Sequence, residues 1–370
     1  MIAFILYGLF LFIFSLFTWS FVDTNFPLKT PLYMLNLAYA QRGLITAIYS
    51  AMVLVLFLFY ARFLWLARRG QMKKNRLFRL IAITVVILFL SFPVFSYDIF
   101  NYIATAKVTF FYRENPYIVM PVEIPNEPML AFMHAANKIA LYGPTWIILT
   151  SLPYFFGFHS LLFTIFAFKA FILIFYLGLT WTIWHVSEKS IQSVIFFALN
   201  PLVMLETLVS AHNDVVMMFF ALSSFYFLKK QRFILSAILL LSSIFIKFAT
   251  IVLVPIYVYT CYRVFRKEKI NWSTIWMFSA LALYIMFLLS PLREEIYSWY
   301  FIWPLTFVSL LPLNSLLSFV SIGFSLGLLF RIAPYLYTKE WGGITPLVKK
   351  MVTFVPPGIM GIYYAIRKKI

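Results

Sequence analysis

The sequence predicts an all-α polytopic membrane protein, and three observations support this fold class. Of the 370 residues, 63% are hydrophobic and only 11% are charged, whereas about 25% of residues are charged in soluble domains. The hydrophobic residues form repeated runs of about 20, long enough to cross a bilayer as helices with internally paired backbones. Lysine and arginine exceed the acids by 18, and this excess is concentrated in short segments, as in cytoplasmic membrane loops rather than nucleic-acid-binding domains.

The apolar runs predict about twelve transmembrane helices in one integral membrane domain, residues 1–370. The clear spans are 2–22, 43–66, 80–97, 160–184, 191–210, 214–228, 273–290, 315–332 and 348–366. The run 233–263 is too long for one span, so we expect two short helices that turn at Lys247. A shorter run, 299–313, is broken by proline. The first run lacks a basic leader and a small-residue cleavage site, and we interpret it as a retained helix.

Sixteen of the 30 lysines and arginines lie in the segments 67–79, 229–232, 263–269 and 367–369. The positive-inside rule places these four segments in the cytoplasm. Helix parity then places Asp98, Asp214 and Lys247 outside, provided that the 14-residue run 144–157 is re-entrant or interfacial. Ten of the 12 acids then lie on the outer side.

The segment 98–143 is predicted to form a structured external loop. It contains several prolines and polar residues and has no long apolar run. Within it, 99–112 and 127–141 are candidates for helices that lie along the membrane face.

Asp98 is the first candidate functional residue, at the outer end of the predicted span 80–97. On a continuing helix, Asp98, Asn101 and Tyr102 share a face. A carboxylate there can accept a proton from a substrate hydroxyl, or it can cap the following helix. Position alone supports both interpretations equally.

Glu206, His212, Asn213 and Asp214 form a second candidate cluster in an otherwise apolar region. Ionisable groups at membrane depth are costly and usually functional. The alternative is that Asp214 caps a helix and the others form a local hydrogen-bond network. The closeness of four polar residues favours a functional role, either contact with sugar hydroxyls or contact with a metal.

Lys247 and Arg293 are candidate ligands for a phosphate, because lysine and arginine bind phosphate well. Lys247 can equally be a lysine that extends to the membrane surface. Trp299, Tyr300 and Trp303 belong by default to an aromatic belt, but their rings can also stack on a sugar.

The sequence has no Walker loop, dinucleotide fingerprint or serine nucleophile elbow, so ATP-driven transport and hydrolase chemistry have no support. Cys261 is the single cysteine and precludes an intramolecular disulfide. We expect no cofactor, and a divalent ion near Asp98 or Asp214 has no support in the sequence.

Several short motifs, spread in order over more than half of the chain, resemble polyprenol-phosphate-mannose-dependent mannosyltransferases of the C superfamily (GT-C) of membrane glycosyltransferases. They are 96–102 (SYDIFNY), 106–107 (AK), 115–117 (NPY), 141–144 (LYGP), 200–202 (NPL), Glu206, 211–214 (AHND), 246–248 (IKF) and 298–304 (SWYFIWP). The motifs are fairly specific for the superfamily and weak for the individual sugar.

The resemblance implies an outward-facing active site in the plasma membrane, a polyprenyl-phosphate sugar donor, a glycan or glycolipid acceptor, and inverting transfer among membrane lipids. It makes Asp98 the general base and places Lys247, with Arg293 nearby, at the donor phosphate. The residues implied in sugar or acceptor binding are Asn101, Lys107, Tyr142, Glu206, His212, Asn213, Asp214, Trp299 and Tyr300. A lipid or sugar transporter, or flippase, is the alternative function, and it predicts two similar halves with polar residues at the midplane. A non-catalytic membrane scaffold is the third hypothesis.

Overall fold

The structure is a computed structural model that describes residues 2–22, 26, 41–127, 130–131, 133, 135–292 and 295–369. Over these ranges the chain consists of helices and connecting turns without β-strands, which confirms the predicted all-α class. We number the α-helices in chain order: α1 (Ile2–Thr18), α2 (Arg42–Arg68), α3 (Lys74–Phe89), α4 (Asp98–Phe110), α5 (Pro144–Phe155), α6 (Leu161–Val186), α7 (Ile191–Ala198), α8 (Pro201–Met204), α9 (Asp214–Lys229), α10 (Phe233–Ile244), α11 (Val254–Phe265), α12 (Trp272–Leu289), α13 (Ile302–Val308), α14 (Leu316–Phe330), α15 (Ala333–Thr338) and α16 (Thr345–Lys369).

Among the described residues, six helical segments are long and apolar enough to cross a membrane, as a membrane protein requires. They are Ala3–Phe21, Arg42–Arg68, Leu161–Val186, Phe248–Phe265, Trp272–Leu292 and Leu316–Thr338. A seventh results if α7 and Pro201–Val209, which meet at a 55° bend, form one span. The predicted total of about twelve also includes shorter helices such as α3 and α9, and it stays a prediction.

Two of the four basic segments lie together at one end of the helical bundle, which we call the basic end. The Lys229 ammonium lies 3.4 Å from the Glu188 carboxylate, and the Lys74 ammonium lies 5.8 Å from the centre of the Trp184 ring. Helix α9 begins at Asp214 and ends at Lys229, a length of about 24 Å at 1.5 Å per residue. The candidate residues around Asp214 therefore lie far from the basic end.

Two helix breaks carry polar residues into the bundle. The Asn200 side chain accepts a hydrogen bond of 3.0 Å from the Leu202 amide, and Pro201 starts α8, where no N–H is needed. The chain then forms a π-helical turn over Leu205–Val209, a distortion that is frequent at functional sites. Between α10 and a 3-10 helix, the backbone of Lys247 is extended, which confirms the predicted turn at this residue.

Helix α4 lies inside the protein, whereas the sequence suggested a helix along the membrane face. The Tyr102 ring packs against Trp146 of α5 at a centroid distance of 5.0 Å, and Phe110 packs against Tyr154 at 6.5 Å. The residues of α4 are buried almost all around the helix. Helix α4 therefore forms one side of the candidate site.

The helix expected over 127–141 is wrong, because the described residues of this segment contain no α-helix. Within the segment, the described backbone bonds are isolated turns such as Lys138 N–H to the Ala135 carbonyl, and other backbone groups bond to earlier parts of the loop. The Val122 amide donates to the Ala136 carbonyl at 3.0 Å, and the Ala140 amide donates to the Pro116 carbonyl at 2.7 Å. This pairing folds the segment back onto the residues that follow α4.

Helix α5 packs beside the first half of α6. The Trp146 ring lies 6.3 Å from Phe171, and a Cβ on Gly157 would lie 2.1 Å from the Thr164 hydroxyl. The contacts thus run toward the start of α6 and away from the basic end. This placement agrees with a run 144–157 that does not cross the whole bundle.

Candidate active site

Asp98 is the first residue of α4, and Tyr97 occupies the N-cap position. The Asp98 amide donates a hydrogen bond of 3.2 Å to the Ser96 hydroxyl. Its carboxylate Oδ2 accepts one of 3.0 Å from the Tyr142 hydroxyl. The Asp98 side chain is 21% exposed, so a ligand can reach it. The carboxylate is thus held by neighbouring side chains rather than used to cap the helix.

His212 lies between two carboxylates and is fully buried. Its Nδ1 is 3.5 Å from Asp98 Oδ2, and its Nε2 is 3.3 Å from Glu206 Oε2. The Trp299 ring stacks on the imidazole at a centroid distance of 4.0 Å and an angle of 17°. Asp98, His212 and Glu206 therefore form a row, which we call the acid–histidine row.

Charge pairing within this row sets the protonation of its members. Burial lowers the pKa of the His212 imidazole, but the facing carboxylates more than offset it and raise the pKa to about 9. Burial raises the pKa of Asp98, but the neighbouring His212, with Lys247 and Tyr142, holds it below its ordinary value. At neutral pH, Asp98 is an anion beside an imidazolium cation.

The π-helical turn places the buried Glu206 side chain on the inner surface of the site. The Ser298 hydroxyl donates a hydrogen bond to Glu206 Oε1. Because Oε2 faces His212, both carboxylate oxygens have a neighbour from another segment. The turn and the segment before α13 are thereby joined at the site.

Asp214 and Lys247 form a second charged pair. Lys247 Nζ lies 2.9 Å from Asp214 Oδ1 and 2.8 Å from Oδ2. The Trp303 indole N–H donates a hydrogen bond of 2.6 Å to Oδ1. The Lys247 ammonium also lies 5.5 Å from the ring centre of Tyr142 and 5.2 Å from that of Tyr300. The ion pair is therefore lined by aromatic rings.

Gly143 holds the Tyr142 loop against the Lys247 turn. The Gly143 amide donates a hydrogen bond of 3.0 Å to the Ile246 carbonyl. A Cβ at position 143 would lie 2.1 Å from the Phe245 carbonyl oxygen, so only glycine fits this backbone approach. The loop that positions Tyr142 on Asp98 is thus fixed directly to the turn that positions Lys247 on Asp214.

Several buried polar side-chain atoms at the site have no hydrogen-bond partner among the described residues. They include Asn101 Oδ1 and both amide atoms of Asn213. The Asn213 backbone amide donates to the Tyr102 hydroxyl at 3.3 Å, so the residue itself is held in place. Such unpaired atoms are rare in proteins, and here they are grouped beside Asp98 and Asp214.

The structure brings together most of the residues singled out in the sequence. Lys107 is separate, because it lies nine residues beyond Asp98 on α4, about 13 Å along the helix, and pairs with Glu127 at 2.8 Å. Arg293 lies outside the described residues. Trp303 was interpreted as an aromatic-belt residue that can stack on a sugar, and its hydrogen bond to Asp214 was not predicted.

Within the described ranges, no group of three histidine, cysteine, aspartate or glutamate side chains converges to hold a metal ion. The acid–histidine row is linear, with the imidazole between the carboxylates rather than beside them. The expectation of no cofactor stays a prediction.

Comparison with known proteins adds a family. Residues 6–263 match the family model of the MptA_B family, described as alpha-(1->6)-mannopyranosyltransferase, N-terminal domain. This range is more than half of the chain and contains the acid–histidine row and the Asp214–Lys247 pair, in agreement with the resemblance found in the motifs. No curated protein and no solved structure matches the chain. The chain therefore belongs to the alpha-(1->6)-mannopyranosyltransferase family and is a membrane mannosyltransferase.

Proposed function

We propose that the protein transfers mannose from a polyprenyl-phosphate-linked donor to a hydroxyl of a glycan or glycolipid acceptor, with inversion, on the outer side of the membrane. The placement of Asp98 is the observation that carries this proposal. Its carboxylate is the partly exposed member of a buried polar cluster. Contacts with Tyr142 and His212 orient this carboxylate. Such a group is suited to act as a general base.

In the proposed reaction, Asp98 accepts the proton of the acceptor hydroxyl while the hydroxyl oxygen attacks the anomeric carbon of mannose. The bond from this carbon to the donor phosphate oxygen breaks, and polyprenyl phosphate leaves from the opposite face. Both Tyr142 and His212 contact Asp98 through Oδ2, so we assign the acceptor to Oδ1. No covalent sugar–enzyme intermediate is required.

We assign sugar binding to the polar atoms and rings around the acid–histidine row. The unpaired amide atoms of Asn101 and Asn213 can bond to sugar hydroxyls, which both donate and accept. Tyr300 lies beside Lys247 and supplies an aromatic ring, whereas Trp299, stacked between His212 and Tyr297, holds the imidazole in place. This arrangement of apolar surface with a few fixed polar groups is typical of small-ligand sites.

Lys247 has a smaller role at the donor phosphate in this proposal than the motif implies. Its positive charge is matched by the Asp214 carboxylate at 2.8 Å. The pair is then close to neutral, and Lys247 contributes a hydrogen-bond donor rather than a net charge. We assign to the pair mainly the positioning of Tyr142 and Tyr300.

The transporter hypothesis is not retained, because the family is one of transferases. The purified chain, incubated with an acceptor panel, should transfer mannose from polyprenyl-phosphate mannose and not from a nucleotide sugar. The product should have the anomeric configuration opposite to that of the donor. Sealed right-side-out vesicles should use added acceptor, and inverted vesicles should not. Transfer from the nucleotide sugar, or retention of configuration, would overturn the proposal.

A further inference from the structure

A second group of cations lies at the site end of the bundle, apart from Lys247. Arg331 follows the last residue of α14, and Lys349 lies near the start of α16. The Arg331 guanidinium donates a hydrogen bond of 2.6 Å to Glu295 Oε1, and the Lys349 ammonium pairs with the same oxygen. Two cations therefore share one carboxylate oxygen. We call Arg331 and Lys349 the cation pair.

The two helices that carry the cations are packed unusually close together. A Cβ on Gly327 of α14 would lie 2.3 Å from the Val352 carbonyl oxygen of α16. The Arg331 guanidinium donates a hydrogen bond of 2.8 Å to the Thr353 hydroxyl, which in turn donates to the Lys349 carbonyl at 2.6 Å. The Arg331 side chain is thus held against α16, the helix that carries Lys349.

Among the described residues, the positive charge at this place exceeds the negative charge. Arg331 and Lys349 are each about nine-tenths buried, whereas the Glu295 side chain is 43% exposed. A buried positive charge without an equal negative charge is costly, and one carboxylate compensates only one of the two cations. An arginine beside a lysine at a partly exposed position is the arrangement that binds phosphate oxygens, with the planar guanidinium supplying paired donors.

The cation pair is linked to the acid–histidine row by stacked rings. Glu295 is two residues before Tyr297, and the Tyr297 ring stacks on Trp299 at a centroid distance of 4.6 Å and an angle of 12°. Trp299 stacks in turn on His212 at 4.0 Å. The stack therefore connects the segment that carries Glu295 to His212, which contacts Asp98.

We propose that Arg331 and Lys349 bind the phosphate ester of the lipid-linked donor. In the absence of donor, the Glu295 carboxylate occupies the phosphate position, and the donor displaces this carboxylate. The proposal rests on the proposed function for the identity of the donor. It assigns the net positive charge at the phosphate to this pair rather than to Lys247, whose charge is matched by Asp214. After transfer, the same pair holds the more highly charged polyprenyl monophosphate until Glu295 returns.

The test measures binding of labelled polyprenyl phosphate to the purified full-length chain in nanodiscs, without acceptor, so that no turnover is needed. Arg331→Gln and Lys349→Gln should each weaken binding about tenfold or more, as expected for loss of a charge-assisted contact. Glu295→Gln should strengthen binding several-fold, because it removes the competing carboxylate charge. Lys230→Gln, an exposed change at the basic end, is the matched control and should bind as the wild type does.

Two further arms identify the ligand and separate this proposal from the proposed function. Unlabelled polyprenyl phosphate should displace the label, and inorganic phosphate should do so at higher concentration, whereas phosphatidic acid should not. Equal displacement by phosphatidic acid would mean a general lipid headgroup site and would overturn the assignment. Asp98→Asn should bind normally yet not transfer mannose.

Arg331→Gln should lower the affinity for polyprenyl phosphate and Glu295→Gln should raise it. A folding defect would lower the affinity in both variants, so the two results distinguish a direct effect from misfolding. Arg331→Lys, which keeps the charge, should retain most of the affinity. Unchanged binding in Arg331→Gln and Lys349→Gln, with transfer still lost in Asp98→Asn, would overturn the cation site and leave the proposed function standing. Wild-type protein that binds no polyprenyl phosphate would overturn both.

Discussion

At the scale of single residues, the imidazole of His212 determines the electrostatics of the site. Without its positive charge, Asp98 and Glu206 would face each other as two carboxylates in a buried region, which is strongly unfavourable. With it, the pKa of Asp98 is held below its ordinary value, and both carboxylates lie close to the ring, at 3.5 and 3.3 Å. An ionised Asp98 is the form that can accept a proton.

The dependence of activity on pH follows from these shifts. The pKa of Asp98 is lowered, so its interactions are present above its ordinary pKa and lost only as the pH falls below it. The pKa of His212 is raised to about 9, so its ion pairs are complete below its ordinary value of 6.5 and are lost as the pH rises through about 9. We expect kcat/KM to be nearly constant around neutral pH and to fall above about pH 9.

The His212→Gln variant checks this assignment through its pH–rate profile. The decline above about pH 9 should disappear, and the acid limb should move to higher pH because Asp98 loses its neighbouring cation. An unchanged alkaline decline in this variant would contradict the role of His212. Glu188→Gln, an 83% exposed side chain at the basic end, serves as the control and should retain the wild-type profile.

Which residues form the site could be predicted only in part. Asp98, His212 and Lys247 were identified because ionisable residues are rare in an apolar chain and stand out in its motifs. Lys107 belongs to one of the same motifs, yet helix geometry carries it to Glu127 instead. The hydrogen bond from Trp303 to Asp214 was not predicted, because it joins residues 89 positions apart and no local pattern reveals such a contact.

At the scale of elements, the site is formed where helices break or end within the bundle. The turn at Lys247 was predicted, since it has a charge within an apolar run. The break at Asn200–Pro201 was not predicted, since 191–210 was taken as one span, although Pro201 marks its position. The π-helical turn at Leu205–Val209 was not predicted either, because its extra residue has no sequence signature. The prediction of a helix over 127–141 was wrong, since the segment forms only isolated turns and pairs part of its backbone with the distant 116 and 122.

Gly143 provides a test of the contact between two such elements. Gly143→Ala places a Cβ against the Phe245 carbonyl oxygen and should push the Tyr142 loop away from the Lys247 turn. A displacement of about 1 Å at reacting groups lowers rates by about a hundredfold, so kcat should fall tenfold or more. The measurement is mannosyl transfer by folded, monodisperse protein.

Gly358→Ala is the matched control, because nothing lies within 4 Å of its added Cβ. It should keep the wild-type rate. A Gly143→Ala enzyme that turns over as fast as this control would show that the loop contact does not position the catalytic groups.

At the scale of the whole molecule, charge separates along the bundle axis. Lys74 and Lys229 lie at the basic end, and the acid–histidine row lies beyond the opposite end of α9. This polarity, and the all-α class, could be predicted from composition and from the distribution of bases alone. The number of spans could not, because short helices such as α3 and α9 are stabilised by packing as much as by apolar length.

The central claim is that Asp98 is the base of a lipid-phosphate-dependent mannosyl transfer. The most direct measurement is the rate of mannose transfer from polyprenyl-phosphate mannose by purified Asp98→Asn protein whose donor binding and thermal unfolding match those of the wild type. Loss of a general base lowers the rate by about 10²- to 10⁴-fold, and we expect a fall in this range. A rate within a few-fold of the wild type would contradict the account.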